Sequence, residues 1–277
     1  MHCLGAGHGN VAGLGSCQFL LGSCGDRGSG LADGVERSPC ARLPRRAGYG
    51  WRILMFTRLI WIIDETPHRA ALNMAIDEAL LLGGGDCPLF RAYHWLQRPV
   101  SIGYFSSWEQ TNALYPDREI VRRWTGGGVV EHGADFTYSL LLPSDAGPPP
   151  NRDLYRGMHS AIVRTLTAMG RAGAAVVKGS EAPPGTDPVA ACFAKSVEND
   201  VEVNGVKVAG AAIRRLRTGV ILQGSIQQIS VESGFAAQLA HTLSPALEKR
   251  MLSTVTTSLA ERIANVKYGT ESWTHRY

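Results

Sequence analysis

The chain has 277 residues, 44% of them hydrophobic, with 28 Lys and Arg against 24 Asp and Glu. That is enough apolar material for one large domain or two small ones, and one is expected. The near balance of charge argues against a nucleic-acid partner held by bulk basicity. No window approaches the roughly 20 apolar residues of a membrane span, so a soluble, cytoplasmic protein without a membrane partner is expected.

Residues 1–50 hold twelve of the 32 glycines and four of the six cysteines, and show neither helical nor strand periodicity. They are expected to be disordered or to be a mis-assigned N-terminal extension, with Met55 opening the patterned region. The folded domain then spans 55–277. The cysteine spacing is not that of a disulfide framework, and a reducing compartment follows.

From Pro67, Leu72, Ala75, Ile76, Ala79 and Leu80 recur at helical spacing until Gly83, Gly84 and Gly85 stop the helix. LFRAYHW and PVSIGYF, joined across Gln97 to Pro99, fit neighbouring strands, and EIVRRW and FTYSLLL fit two more. Leu154, Met158, Ile162, Leu166 and Met169 mark a second helix, and AAVVK a short strand. Gly179 to Pro188 reads as an exposed loop.

Asn204-Gly205 between alternating apolar residues predicts a type I′ hairpin, with Val203 opposite Val206, Glu202 opposite Lys207 and Val201 opposite Val208. GVILQGSIQ adds a strand, and the last forty residues read as helices. The sum is an α+β fold.

Three features could carry chemistry. Arg122-Arg123-Trp124-Thr125-Gly126-Gly127-Gly128 runs a strand into bare backbone beside two cations that can pair with a carboxylate or phosphate. A solvated glycine turn is the plainer alternative. Lys207, followed by small residues, can balance a developing oxyanion, or simply form an exposed ion pair with Glu202. Cys192 is a nucleophile if a basic neighbour activates it, and otherwise a small buried hydrophobe. His132 alone reads as a hydrogen-bonded structural histidine. Zinc-ligand spacing, GxSxG and the P-loop pattern are absent from the sequence.

In this order, NMAIDEALL, RRWTGGGVVEH with FTYS, and CFAKSVENDVEVNGVKVAGAAIRR with GVILQGSIQ resemble the catalytic domain shared by lipoate-protein ligases and octanoyltransferases. The resemblance covers about Leu72 to Tyr268. It implies a biotin/lipoate ligase-like fold, a central mixed, mostly antiparallel sheet flanked by helices. It also implies an enzyme that moves an octanoyl or lipoyl group to a lysine of a lipoyl-domain protein.

Lys207 and Cys192 become the expected catalytic residues. Arg122, Arg123, Thr125, Gly126, Gly127, Gly128, His132, Asn199, Asp200 and Gly210 become the expected substrate-binding set. Cysteine-dependent transfer from acyl carrier protein, without a cofactor, is favoured because Cys192-Phe193 and FTYS match the octanoyltransferases. The alternatives are an ATP-dependent ligase acting on free lipoate, with Mg2+ on Asp200, and a non-catalytic paralogue that binds lipoate or an acyl chain. Gln223 and Ile213 depart from the pattern of many relatives. The lysine past the Asn-Gly bend and the amides of the glycine triplet are expected to line one cavity.

Overall fold

The structure, a computed structural model, describes residues 55–178 and 197–277. The expected N-terminal extension, the loop from Gly179 and Cys192 lie outside the described residues. In chain order the strands are β1 (Arg58–Ile63), β2 (Leu89–Tyr93), β3 (Val100–Ile102), β4 (Ile120–Arg122), β5 (Val129–Glu131), β6 (Phe136–Pro143), β7 (Ala174–Val176), β8 (Val201–Val203), β9 (Val206–Leu216), β10 (Gly219–Ile226) and β11 (Ala246–Met251). The helices are α1 (Ala70–Leu82), α2 (Trp108–Leu114), α3 (Asn151–Ala168), α4 (Phe235–Leu243), α5 (Thr254–Ile263) and α6 (Glu271–Thr274).

Eight strands form the main sheet in the order β11-β1-β2-β6-β10-β9-β8-β7. β1 pairs in parallel with β11 and β2, and the remaining pairs are antiparallel. This is the expected mixed sheet. One face packs on α3 and α4, where Leu154, Met158, Ile162 and Leu166 are buried. Each such side chain contributes about 1.5–3 kcal/mol on leaving water. The other face packs on α1 and α5. β1 supplies Leu59 to the first core and Ile60 and Ile62 to the second, so RLIWII is apolar on both faces. A strand buried on both sides has no alternation to read.

β11 corrects the expectation of a wholly helical C-terminal segment. Its sequence, ALEKRM, is polar because it forms the exposed edge of the sheet. A second correction concerns β2 and β3, which are not sheet neighbours. β2 belongs to the main sheet, whereas β3 is the middle strand of a small separate sheet, β4-β3-β5. Cys87 is buried and disulfide-bonded, which the expectation of a reducing compartment did not include.

The hairpin turns as predicted, with Asn204 at φ 51° and Gly205 at φ 79°, the two positive values that a type I′ turn requires. Its first two rungs keep the expected register, but the third is Val201 opposite Ala209. A bulge at this point moves Val208 out of pairing and sends Ala209 into the α3-side core.

Candidate active site

The glycine loop links β4 to β5 and crosses the end of β3, which lies between them. Five consecutive carbonyls of the loop are held by donors from the frame. Trp124 O accepts from Arg214 Nη1 at 3.2 Å and Thr125 O from the Tyr104 amide at 2.9 Å. Gly126 O and Gly128 O both accept from Arg123 Nη2 at 2.8 Å, and Gly127 O accepts from Ser106 Oγ at 3.2 Å. In a trans peptide the N–H points opposite the preceding C=O. Anchoring the Thr125 and Gly126 carbonyls therefore turns the amides of Gly126 and Gly127 away from the frame, an arrangement that favours negative charge. Gly103 is required underneath, because a Cβ there would sit 1.8 Å from Gly127 O.

The two arginines differ. Arg123 shapes the loop. Arg122 is fully buried, and its guanidinium donates to the carbonyls of Gly103, Tyr104, Ser106, Trp273, Thr274 and Tyr277. Its donors are thus engaged by backbone, fastening α6 and the chain end to the small sheet. This corrects the expectation that Arg122 contacts a ligand.

Lys207 faces Glu202 across the hairpin, but the ion pair it forms is with Asp200. Its Nζ lies 2.7 Å from Asp200 Oδ2, and both side chains are buried. The stem folds back over Gly210, where a Cβ would meet Lys207 Cε at 3.3 Å and Nζ at 3.5 Å. Gly210 therefore keeps the lysine's path open. Asp200 also receives Tyr155 Oη at 2.5 Å on Oδ1 and the Val197 amide at 2.8 Å on Oδ2. Asn199 carries φ 71°, and its carbonyl faces His159 Nδ1 at 2.5 Å. Burial lowers the His159 imidazole to about 4, so the ring is neutral near pH 7.

These elements meet on one face of the main sheet. Gly210 is opposite Ser225 and Ala212 is opposite Gln223. Ser225 and Gln223 are two residues apart on the same side of β10, about 7 Å. Gln223 Oε1 accepts from Thr125 Oγ1 at 2.9 Å, so the start of the glycine loop lies over the face that carries Lys207.

His132 has both ring nitrogens occupied, by Ser101 Oγ and by Asp135 Oδ2, each at 2.8 Å, and it stacks on Trp95. It is a framework histidine, which corrects its inclusion among ligand contacts. Burial by itself would raise the Asp135 carboxyl. Hydrogen bonds from His132, Ser225 and Thr137, with the charge of His132, bring it down to about 2.

Asp200 also departs from the magnesium expectation. A hard cation takes several oxygen ligands. The carboxylate of Asp200 instead already receives two N–H donors and one O–H donor. Among the described residues no three His, Cys, Asp or Glu gather as a metal site. The donor set does not fit the ion.

Sequence reasoning assigned no role to the buried polar layer beneath the loop. Arg91, fully buried, pairs with Asp64 at 2.6 Å and Asp77 at 2.8 Å, and Gln223 Nε2 donates to Asp77 Oδ2 at 2.8 Å. Asn73 and Asp77, four apart on an otherwise apolar face of α1, were the available signal.

A mixed sheet covered by helices on both faces is the fold of solved lipoate-protein ligases. The solved structure of lipoate-protein ligase A bound with ATP matches 79% of this chain and 99% of its own, at a TM-score of 0.64 and 21% identity. That of Ta0514 from T. acidophilum, a putative lipoate protein ligase with bound lipoic acid, matches 80% and 99%, at 0.62 and 23%.

Residues 69–276 match the family model of the lipoyl protein ligase A/B catalytic domain, and the chain belongs to that family. Octanoyltransferase LipM of Symbiobacterium thermophilum is 37% identical over 178 residues, 60% of this chain and 64% of that protein. Octanoyltransferase LipM of Clostridioides difficile is 33% identical over 203 residues, 69% and 73%. The chain thus spans about two-thirds of the length of these relatives. Among the described residues no helix is long and apolar enough to cross a membrane.

Proposed function

We propose that the protein transfers an octanoyl group from acyl carrier protein to a lysine of a lipoyl-domain protein, by way of a thioester on Cys192. The observation that carries this reading is the buried Lys207 ammonium above Gly210, on the sheet face that the glycine loop covers through Thr125 and Gln223. The similarity to octanoyltransferases named LipM, at 37% and 33% identity, supports the acyl group and the donor chemistry.

In this reaction the Cys192 thiolate attacks the thioester carbonyl of the donor, and the carrier thiol leaves as the new thioester forms. The neutral amine of the acceptor lysine then attacks, an amide forms, and the cysteine thiol is regenerated. Negative charge builds on the carbonyl oxygen in both steps. A fixed ammonium and backbone amides stabilise it more than they stabilise the ground state.

The test is to incubate the protein with an apo lipoyl domain and weigh the acceptor, supplying octanoyl-carrier protein without ATP or lipoate with ATP and magnesium. Octanoylation in the first mixture is the expected result, abolished by Cys192→Ser. Lys207→Ala lowers the rate by about 100- to 1,000-fold, the effect of losing one preorganised donor at developing charge. Modification solely in the ATP mixture rejects the transferase in favour of a ligase.

A further inference from the structure

We propose that Tyr155 of α3 is a positioning residue for Lys207, acting through Asp200; the inference rests on the acyl-transfer reading of the site. A carboxylate can turn about its Cβ–Cγ bond and present either oxygen to a partner. Here Oδ2 serves Lys207 Nζ at 2.7 Å and the Val197 amide at 2.8 Å, while Oδ1 receives the Tyr155 hydroxyl at 2.5 Å. The phenol fixes the oxygen that the lysine does not use, and so fixes the one that it does.

The phenol is itself held in place. β8 covers the edge of β9 as far as the pairing of Val201 with Ala209. Just beyond, the Ala211 amide donates to Tyr155 Oη at 3.3 Å, so the hydroxyl takes the next acceptor position along the strand. The His159 ring packs edge-on at 4.3 Å between centroids. Burial, then the charge of Asp200, pushes deprotonation of the phenol far above its ordinary range, so it remains a donor across the working pH. The result is a continuous link from α3 to the lysine tip, between residues far apart in sequence.

Tyr155→Phe keeps the ring and removes the hydroxyl. The expected outcome is a roughly tenfold fall in kcat, with KM for the octanoyl donor within about twofold of the parent. In an Asp200→Asn background the same substitution causes no further fall, because the path through the carboxylate is already cut. A second readout does not depend on the reaction. Acetylation of Lys207 by a small activated ester, followed by peptide mass spectrometry, becomes several-fold faster once the lysine is loosened. Parent-like kcat, or an unchanged labelling rate at Lys207, overturns the proposal. If the parent protein transfers no acyl group, the reaction reading has failed, and the labelling rate alone still decides whether Tyr155 positions Lys207.

Discussion

Thr125 Oγ1 donates to Gln223 Oε1 at 2.9 Å and thereby ties the glycine loop of the small sheet to the strand beside the lysine-bearing β9 of the large one. The carboxamide is fixed from behind, since its Nε2 donates to Asp77 Oδ2 at 2.8 Å. Both ends are buried.

Replacing Thr125 by Val keeps the shape and removes the donor, leaving Gln223 Oε1 without its partner. An unsatisfied buried acceptor costs about 1–3 kcal/mol. Thr125→Val is expected to lose that much stability in urea unfolding and to slow octanoyl transfer by about tenfold or more as the loop's placement relaxes. An unchanged transfer rate would separate the loop from the chemistry.

Arg122→Lys separates framework from ligand contact. A single ammonium cannot replace a planar fork that serves six carbonyls on two segments, 103–106 and 273–277. The variant is expected to lose about 3 kcal/mol or more, and to expose the segment after Gly269 to proteolysis, while KM for the donor stays near that of the parent. A large rise in KM with parental stability would return Arg122 to the binding pocket.

Local pattern made much of this molecule legible before its geometry was known. α1 and α3 declared themselves through 3.6-residue spacing, and Asn204-Gly205 gave the hairpin together with its first two rungs. β1 and β11 did not, because one is apolar on both faces and the other is a charged edge. For the site, the resemblance supplied the lysine and the glycine triplet. It could not say that Arg122 and Arg123 both donate to backbone carbonyls, since those carbonyls are brought to the guanidiniums by the tertiary fold. That Lys207 pairs with Asp200 and not with Glu202 is a side-chain choice within the expected register of that rung, which an alternating pattern cannot decide.

Gly210→Ala tests the path of the lysine stem. The added methyl would lie 3.3 Å from Lys207 Cε and 3.5 Å from both Nζ and Asp200 Oδ1, so the side chain must shift by a few tenths of an ångström. Gly210 does not have a positive φ, and the backbone accepts alanine without strain. Stability is therefore expected to change by less than about 1.5 kcal/mol, whereas kcat falls by about tenfold. Loss of both together would mean that the strand, and not the lysine, had been disturbed.

Acid should destabilise the fold in two stages, with a buried group contributing to each. Burial holds the His159 imidazole at about 4, against an ordinary 6.5. Between those values the unfolded chain takes up a proton that the folded chain refuses, so stability rises with pH there. The contribution is complete above about pH 6.5 and is lost as pH falls to about 4, amounting to about 3 kcal/mol. Asp135 acts lower. Burial works against its ionisation, but hydrogen bonds from His132, Ser225 and Thr137 prevail and hold it at about 2, against an ordinary 3.8. Its contribution is complete above about pH 3.8 and is lost on the way to about 2. Urea midpoints across this range should therefore fall first between pH 6.5 and 4. His159→Gln should flatten that first decline, and Asp135→Asn should reduce the second. A His159→Gln protein that keeps the full loss between pH 6.5 and 4 would show that other groups, and not this buried imidazole, set the acid limit of the fold.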